Sequence, residues 1–435
     1  MEGIEMVSRH LFQSCSLAIA FVAFAASAAP PLSEKSVHKS PVQPTFFVSQ
    51  VNYPDLWPSA SVSHWLILKC KLKGVTGTGV LPPGFPADIP DVDTLVDRFL
   101  TTDGTGTGNL IDYYRRATYN RIPLETQILG WYQATDTTSV TTSGQRTPLV
   151  EDCANAAPAG ELTPALLASA DGLIVVVNGQ ISSGAGNVGK TTLMVHGIPY
   201  NLSVVTFDSG SMYTAFAAHE VGHGFGLQHS RNSAGADYGD PFDLMSTFST
   251  NQYLNARYPA EGGDIGNGPG SGPGLNVPNL MFLNALPPNR LVTYLVSSGQ
   301  VQSYRLSALS HGLGSRPMGL LILWQTTLPG LPVVVSPVTY TVEYRQNDGE
   351  DAGFQNPVVL VHRVHSSTVG YPWQNDLDAV LTAGQTYQAS MPPELNFQKA
   401  LNQIYISVDS IDPSTGSALV HVGPNAPPRP QSPPR

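Results

Sequence analysis

The chain has 435 residues, 41% of them apolar and only 12% charged, about half the usual charged share of roughly 25%. A mean hydropathy of −0.04 excludes a polytopic membrane protein and argues against wholesale disorder. A formal net charge of −10 leaves no basic excess to recruit phosphate backbones, so no nucleic-acid partner is expected.

The N-terminus reads as a secretory signal over residues 1–28. Arg9 and His10 precede an apolar run from Leu17 to Ala25, and Ala26-Ser27-Ala28 fits a small-x-small cleavage site. The run is short for a membrane span, so a secreted chain with no membrane partner after cleavage is expected. Residues 29–60 read as a linker or short pro-segment. Cleavage after Ala28 leaves two cysteines, Cys70 and Cys153, which are either one disulfide or two buried thiols.

Next come mixed elements, assigned to one catalytic domain over 61–298. Trp65–Leu68 starts a strand. Val92–Leu100 has helical spacing, and Leu110–Thr118 is read as a continuation of it. Thr163-Pro164 caps a short helix running to Ala170. Gly172–Asn178 is apolar and β-branched, a buried strand, and Tyr200–Phe207 is another. Ser211–Phe225 has the longest helical character, with Ser211 as its N-cap. After residue 298 the pattern changes. Val301–Leu306, Gly319–Trp324, Val338–Tyr344, Val358–Val364, Thr386–Met391, Gln403–Val408 and Ala418–Val422 are short β-rich runs separated by turns. They predict an antiparallel β-sandwich over 299–423. Residues 424–435 form a Pro/Arg-rich tail.

The strongest signal is His219-Glu220-Val221-Gly222-His223-Gly224-Phe225-Gly226-Leu227-Gln228-His229. On a helix, His219 and His223 lie on one face, one turn apart, and both rings reach one ion. Met212 and Phe216 fall on the same stripe, so the ligand face is expected to be the buried face. Glu220 is rotated off that face, placed to reach a water on the metal. Gly226 is positioned to end the helix, since glycine takes the left-handed turn cheaply. The chain can then return His229 as a third ligand. Three protein ligands leave a fourth position open, as catalytic zinc sites do.

This H-E-x-x-H-x-x-G-x-x-H pattern resembles the metzincin metallopeptidases. With Tyr238-Gly239-Asp240 and then Met245, it looks most like the gametolysin-type enzymes. The strands Tyr340–Arg345 and Val359–Val364 look like the β-rich region behind the catalytic domain in that group. The resemblance implies an α+β zincin fold, Zn2+ as cofactor and Met245 as the methionine of the turn beneath the metal. Astacins and serralysins carry a tyrosine two residues after that methionine as an extra ligand; here the position is Thr247. No cysteine precedes Trp65 in the mature chain, which excludes a cysteine-capped latent form. The implied reaction is attack of a metal-bound water on a peptide carbonyl, with Glu220 as general base and acid. Asp240 and Asp243 are candidates for orienting the imidazoles, or equally for turn chemistry.

Three other signals are weaker. Gly184–Thr191 matches the P-loop consensus, but Thr192–Pro199 just beyond it reads as strand rather than helix, so the match is taken as chance. By the resemblance, this segment contacts substrate. Asp348, Glu350 and Asp351 read as a solvated acidic loop, with calcium as the alternative. Asn201-Leu202-Ser203 is an N-glycosylation triplet.

These signals point to a secreted zinc metalloendopeptidase, a hydrolase acting on extracellular proteins or peptides, with cell-wall or matrix glycoproteins as targets by family analogy. The alternatives are a secreted zinc-containing adhesin or carbohydrate-binding protein with little turnover, and a P-loop nucleotidase.

Overall fold

The computed structural model describes residues 62–79, 81, 91–101, 109–179, 181, 186–208, 210–212, 214–246, 251–254, 270–287, 289–312, 314–326, 334–335, 338–365, 374–390 and 403–424. The expected signal segment, the linker, residues 425–435, Gly184 and Thr247 lie outside them.

Ser63–Lys71 (β1), Leu124–Gln133 (β2), Gly172–Val177 (β3), Gly186–Val195 (β4) and Ile198–Phe207 (β5) form the first sheet, in the order β2-β1-β3-β5-β4. β1, β2, β3 and β5 are parallel, and β4 lies antiparallel to β5 at the edge. A parallel strand covered on both faces reads as an unbroken apolar run, and all six residues of β3 are buried. Alternate residues go to opposite faces. Trp65, Ile67 and Ile174 enter one core, while Leu66, Leu68 and Leu173 enter the other.

Val92–Phe99 (α1) and Leu110–Ala117 (α2) cover the first core, and Arg146–Ala156 (α3) and Pro164–Ser169 (α4) cover the second. Thr214–Gly224 (α5) and Val277–Phe282 (α6) return to the first. α1 and α2 are separate helices, each with its own cap. Asp91 accepts from Thr94 N at 2.8 Å, and Asn109 accepts from Asp112 N at 2.8 Å. Thr163 caps α4 as expected, accepting from Leu166 N at 3.2 Å. Cys70 and Cys153 are disulfide-bonded, tying β1 to α3 with Cα atoms 5.8 Å apart. Among the described residues, no helix is long and apolar enough to cross a membrane.

The remaining strands are Arg231–Asn232 (β6), Tyr253–Leu254 (β7), Gly270–Ser271 (β8), Leu291–Leu295 (β9), Gln302–Ser307 (β10), Gly319–Leu323 (β11), Gln325–Thr326 (β12), Val334–Val335 (β13), Val338–Arg345 (β14), Val358–His365 (β15), Gln374–Leu381 (β16), Thr386–Ser390 (β17), Gln403–Asp412 (β18) and Ser417–Gly423 (β19). All seven expected C-terminal strands are present. The sheet β10-β19-β18-β17 is antiparallel throughout. The facing sheet, β6-β16-β15-β14-β11-β9, is not. It is antiparallel at its centre and parallel at both ends, where β9 pairs β11 and β6 pairs β16. The chain crosses to the other sheet through β10 between β9 and β11, so β11 returns beside β9 in the same direction. The two sheets share one core that includes Leu306, Ile322, Val342, Val361, Ile406 and Val420. The described residues thus form a mixed α/β protein with several sheets, including an all-antiparallel four-stranded C-terminal sheet.

Candidate metal centre

α5 is an unusually buried helix, and its composition explains how it fits. The expected apolar stripe is too narrow: Thr214, Ala215, Ala217, Ala218, His219, Glu220, Val221 and Gly222 are all buried. Small side chains let neighbours approach its backbone. The Tyr114 hydroxyl donates to the Ala218 carbonyl at 2.6 Å, and Ser203 Oγ donates to the Gly224 carbonyl at 2.7 Å. The helix starts at Thr214, so Ser211 is not its cap. Its hydroxyl instead accepts from Asp208 N at 2.9 Å in the preceding turn, which ends β5 before the helix can begin.

The C-terminus of α5 behaves as the sequence predicts. Gly226 has φ +92° and donates its N–H to the His223 carbonyl at 2.8 Å. Leu227 N donates to the Gly222 carbonyl at 3.1 Å. This paired closure reverses the chain and brings His229 back beside the helix.

His219, His223 and His229 come together, with one ligand atom from each within 4.8 Å of the others. His219 Nδ1 donates to the Leu244 carbonyl at 2.9 Å, and His223 Nδ1 donates to the Leu227 carbonyl at 2.8 Å. A carbonyl only accepts, so each Nδ1 carries the proton and each Nε2 keeps its lone pair. His223 Nε2 faces His229 Nε2 at 3.0 Å. Burial, then the neighbouring His223, holds His219 well below the usual histidine range, against the pull of its bond to Leu244. Burial likewise lowers His223. Burial and then His223 bring His229 down to about 4. All three rings are therefore neutral near pH 7, the form that binds metal. Converging neutral lone pairs fit a metal ion, and the cluster can hold one.

Glu220 is buried beside this cluster. Its charge reaches two further residues. Burial depresses the Arg146 guanidinium, and Glu220 opposes that effect. Burial raises the Tyr238 hydroxyl, and Glu220 raises it further. The Tyr238 ring lies 3.9 Å from the His229 ring and 6.2 Å from that of His219, centroid to centroid. Its backbone has φ +60°, a left-handed conformation that costs a bulky residue roughly 1–2 kcal/mol. The ring's place beside His229 was not legible from the motif that contains it.

Met245 is fully buried under the helix. A Cβ built at Gly222 would stand 2.6 Å from Met245 Sδ, so only glycine leaves the room the sulfur occupies. Asp240 and Asp243 make their bonds within the loop and to its neighbours. Asp243 Oδ2 accepts from Ser230 Oγ at 2.5 Å, Met245 N at 3.0 Å and Asn279 Nδ2 at 2.8 Å, and Oδ1 accepts from Asn276 N at 2.7 Å. Asp240 Oδ1 accepts from Phe242 N at 3.0 Å, and Oδ2 accepts from His362 Nε2 at 2.9 Å. Main-chain carbonyls thus orient His219 and His223, and the aspartates fold the loop that supplies one of them. Burial, then Asp240 beside it, pushes Asp243 up to about 7.

The weaker signals also resolve. Lys190 and Thr191 lie in β4, so no helix opens where a P-loop requires one. The acidic loop is not solvated: Glu350 and Asp351 are buried. Arg116 Nε donates to Glu350, Arg345 donates to both Asp351 oxygens, and His311 pairs with Asp348 at 2.7 Å. The guanidinium groups of Arg116 and Arg345 thus neutralise Glu350 and Asp351 from within the chain. Asn201 is exposed on β5. No protein-family model matches this chain, and no curated protein matches it significantly. The functional reading therefore rests on the geometry of the three histidines.

Proposed function

We propose that this chain is a secreted zinc-dependent metalloendopeptidase, with a catalytic domain over 61–298, a β-sandwich domain over 299–423, and extracellular proteins or peptides as substrates. The observation that carries the reading is the convergence of His219, His223 and His229, with Glu220 buried in α5 directly after His219. Ligand nitrogens around one tetrahedral zinc stand roughly 3.3 Å apart, which suits the 3.0 Å between His223 Nε2 and His229 Nε2. Three neutral imidazoles add no negative charge, so the full charge of the ion acts on the open position. A zinc ion held there supplies Lewis acidity and an acidified water.

The chain's own residues carry the rest. Glu220 accepts the proton that must leave the attacking water and passes it to the departing amine. The Leu244 and Leu227 carbonyls hold two imidazoles in the ligand tautomer. Met245 gives the rings a dry floor. The Cys70–Cys153 disulfide accords with an oxidising, extracellular setting. In this reading β4, the edge strand of the first sheet, is where an extended substrate lies.

The test is cleavage of gelatin and casein by the mature chain and by Glu220→Ala, with zinc measured on both. Cleavage by the parent, with the variant retaining zinc but losing activity by orders of magnitude, supports the reading. Zinc binding without cleavage in the parent favours an adhesin or carbohydrate-binding protein. A parent without zinc removes the basis of the proposal.

A further inference from the structure

The metal-site loop is built against the six-stranded sheet rather than standing free. Two hydrogen-bonded routes run from that sheet to the ligands. The first starts at His362 on β15, which is fully buried and donates from Nε2 to Asp240 Oδ2 at 2.9 Å. Its Nδ1 lies 3.9 Å from Glu343 Oε2 on β14, so the ring sits between two carboxylates. Asp240 opens the loop Asp240–Ser246. Its N–H donates to Ser246 Oγ at 3.0 Å, and its Oδ1 accepts from Phe242 N at 3.0 Å. Those bonds close the loop on itself. The same loop presents the Leu244 carbonyl to His219 and seats Met245 under Gly222.

The second route starts one residue past His229. Ser230 Oγ donates to Asp243 at 2.5 Å, and Ser230 N donates to the Met245 carbonyl at 2.8 Å. Arg231 then enters the sheet as β6. It pairs with Asp376 on β16, and its Nε donates to that carboxylate at 2.9 Å. Asn375 on β16 accepts from Asn276 Nδ2 at 3.0 Å, and Asn276 N donates to Asp243. The segments that place His219 and His229 are therefore both tied to the strands β15 and β16.

We propose that His362 is a positioning residue of the metal centre: by clamping Asp240 it holds the loop whose Leu244 carbonyl orients His219. On this inference the C-terminal sheet is part of the metal site and not an accessory module. The inference rests on the metal-binding reading of the three histidines and does not depend on peptidase activity. Partners bonded directly to a metal ligand typically change affinity by about 10- to 100-fold when lost; His362 acts through Asp240 and the loop, so its effect belongs at the lower end, about 10-fold. The burial of His362 explains why a change there reaches the ligand. A buried carboxylate that loses its close donor is not rescued by water; only the longer bond from Asn276 Nδ2, at 3.4 Å, would remain on Asp240 Oδ2, so the carboxylate shifts towards it.

The experiment uses the full mature chain and zinc alone. Zinc affinity is measured by competition with a chelator for the parent, His362→Ala, His362→Gln and His223→Ala. The visible spectrum of the cobalt-loaded form is recorded for each. The expected result is that His362→Ala stays folded, binds zinc about 10-fold more weakly and shifts the cobalt spectrum. His362→Gln keeps an N–H donor for Asp240 and should recover most of the affinity. A merely structural role would lower the unfolding midpoint and leave the cobalt spectrum of the folded protein unchanged. Should His362→Ala fail to fold, Asp240→Asn carries the same test, since it keeps the shape of the loop and removes the charge that His362 holds. A folded variant with zinc affinity within twofold of the parent and an unchanged spectrum overturns the inference alone. A parent that takes up no zinc, like His223→Ala, overturns it together with the metal-site reading.

Discussion

Met245 and Gly222 are in such close contact that one methyl group on the glycine would stand 2.6 Å from the methionine sulfur. Neither partner can retreat easily. Met245 is fully buried, and Gly222 lies on the helix between His219 and His223. We expect Gly222→Ala to cost roughly 1–3 kcal/mol, the usual range for overpacking a filled core. Urea denaturation should show a lower midpoint with an unchanged slope. Zinc affinity should fall with it, because the helix that moves carries His219 and His223. A variant as stable as the parent would mean that Met245 repacks freely.

Metal binding should appear as stability. A ligand that binds only the native state stabilises it by about 2.7 kcal/mol at a concentration 100 times its Kd. The parent's unfolding midpoint is expected to rise with added zinc and fall on chelation. In His223→Ala the zinc dependence should vanish, since the remaining two imidazoles no longer enclose one ion. An identical zinc response in both proteins would exclude these histidines as the site.

The disulfide joins residues 83 positions apart, both fully buried. Closing a loop of that length restricts the unfolded chain, and removing such a bond typically costs roughly 2–5 kcal/mol. The double variant Cys70→Ala/Cys153→Ala should unfold at a correspondingly lower urea concentration. Equal midpoints for the oxidised parent and the double variant would show that the bond contributes nothing to stability.

Asp152 gives a pH dependence with a defined sign. Burial pushes its carboxyl up, but N–H donors from Thr135, Thr137 and Asp136 outweigh burial and bring it down to about 2. A carboxyl lowered in the native state adds stability above its unfolded pKa of about 4. That stability is lost as pH falls towards 2. Asp152→Asn should therefore be less stable than the parent at pH 6, and the gap should narrow by pH 3. A gap that stays constant over this interval would show that ionisation of Asp152 is not the source.

Much of the site was legible because it is local. The spacing of His219 and His223 follows from helix geometry, and the φ of +92° at Gly226 follows from the turn that a returning His229 requires. The strands β10, β11, β14, β15, β17, β18 and β19 were legible from their apolar runs. β16 was not: Gln374–Leu381 is a polar strand whose Asn375 and Asp376 are buried against partners on other segments. The edge strand β2 is hidden for a related reason. It has few buried residues, so its hydrophobic pattern is faint.

Taken alone, the sequence determined which three histidines converge, the helix that carries two of them, the break that returns the third, and most strands of the C-terminal sheets. Each of these depends on residues within one or two turns, where backbone geometry makes spacing equivalent to position. Only the tertiary structure decided that carbonyls, not Asp240 or Asp243, orient the rings, that Cys70 meets Cys153, and that Tyr238 lies against His229. It also decided that Asp240 is held by His362, 122 residues further on. The physical reason is that a buried polar group must find a partner, but its sequence says nothing about which distant segment the fold will bring to meet it.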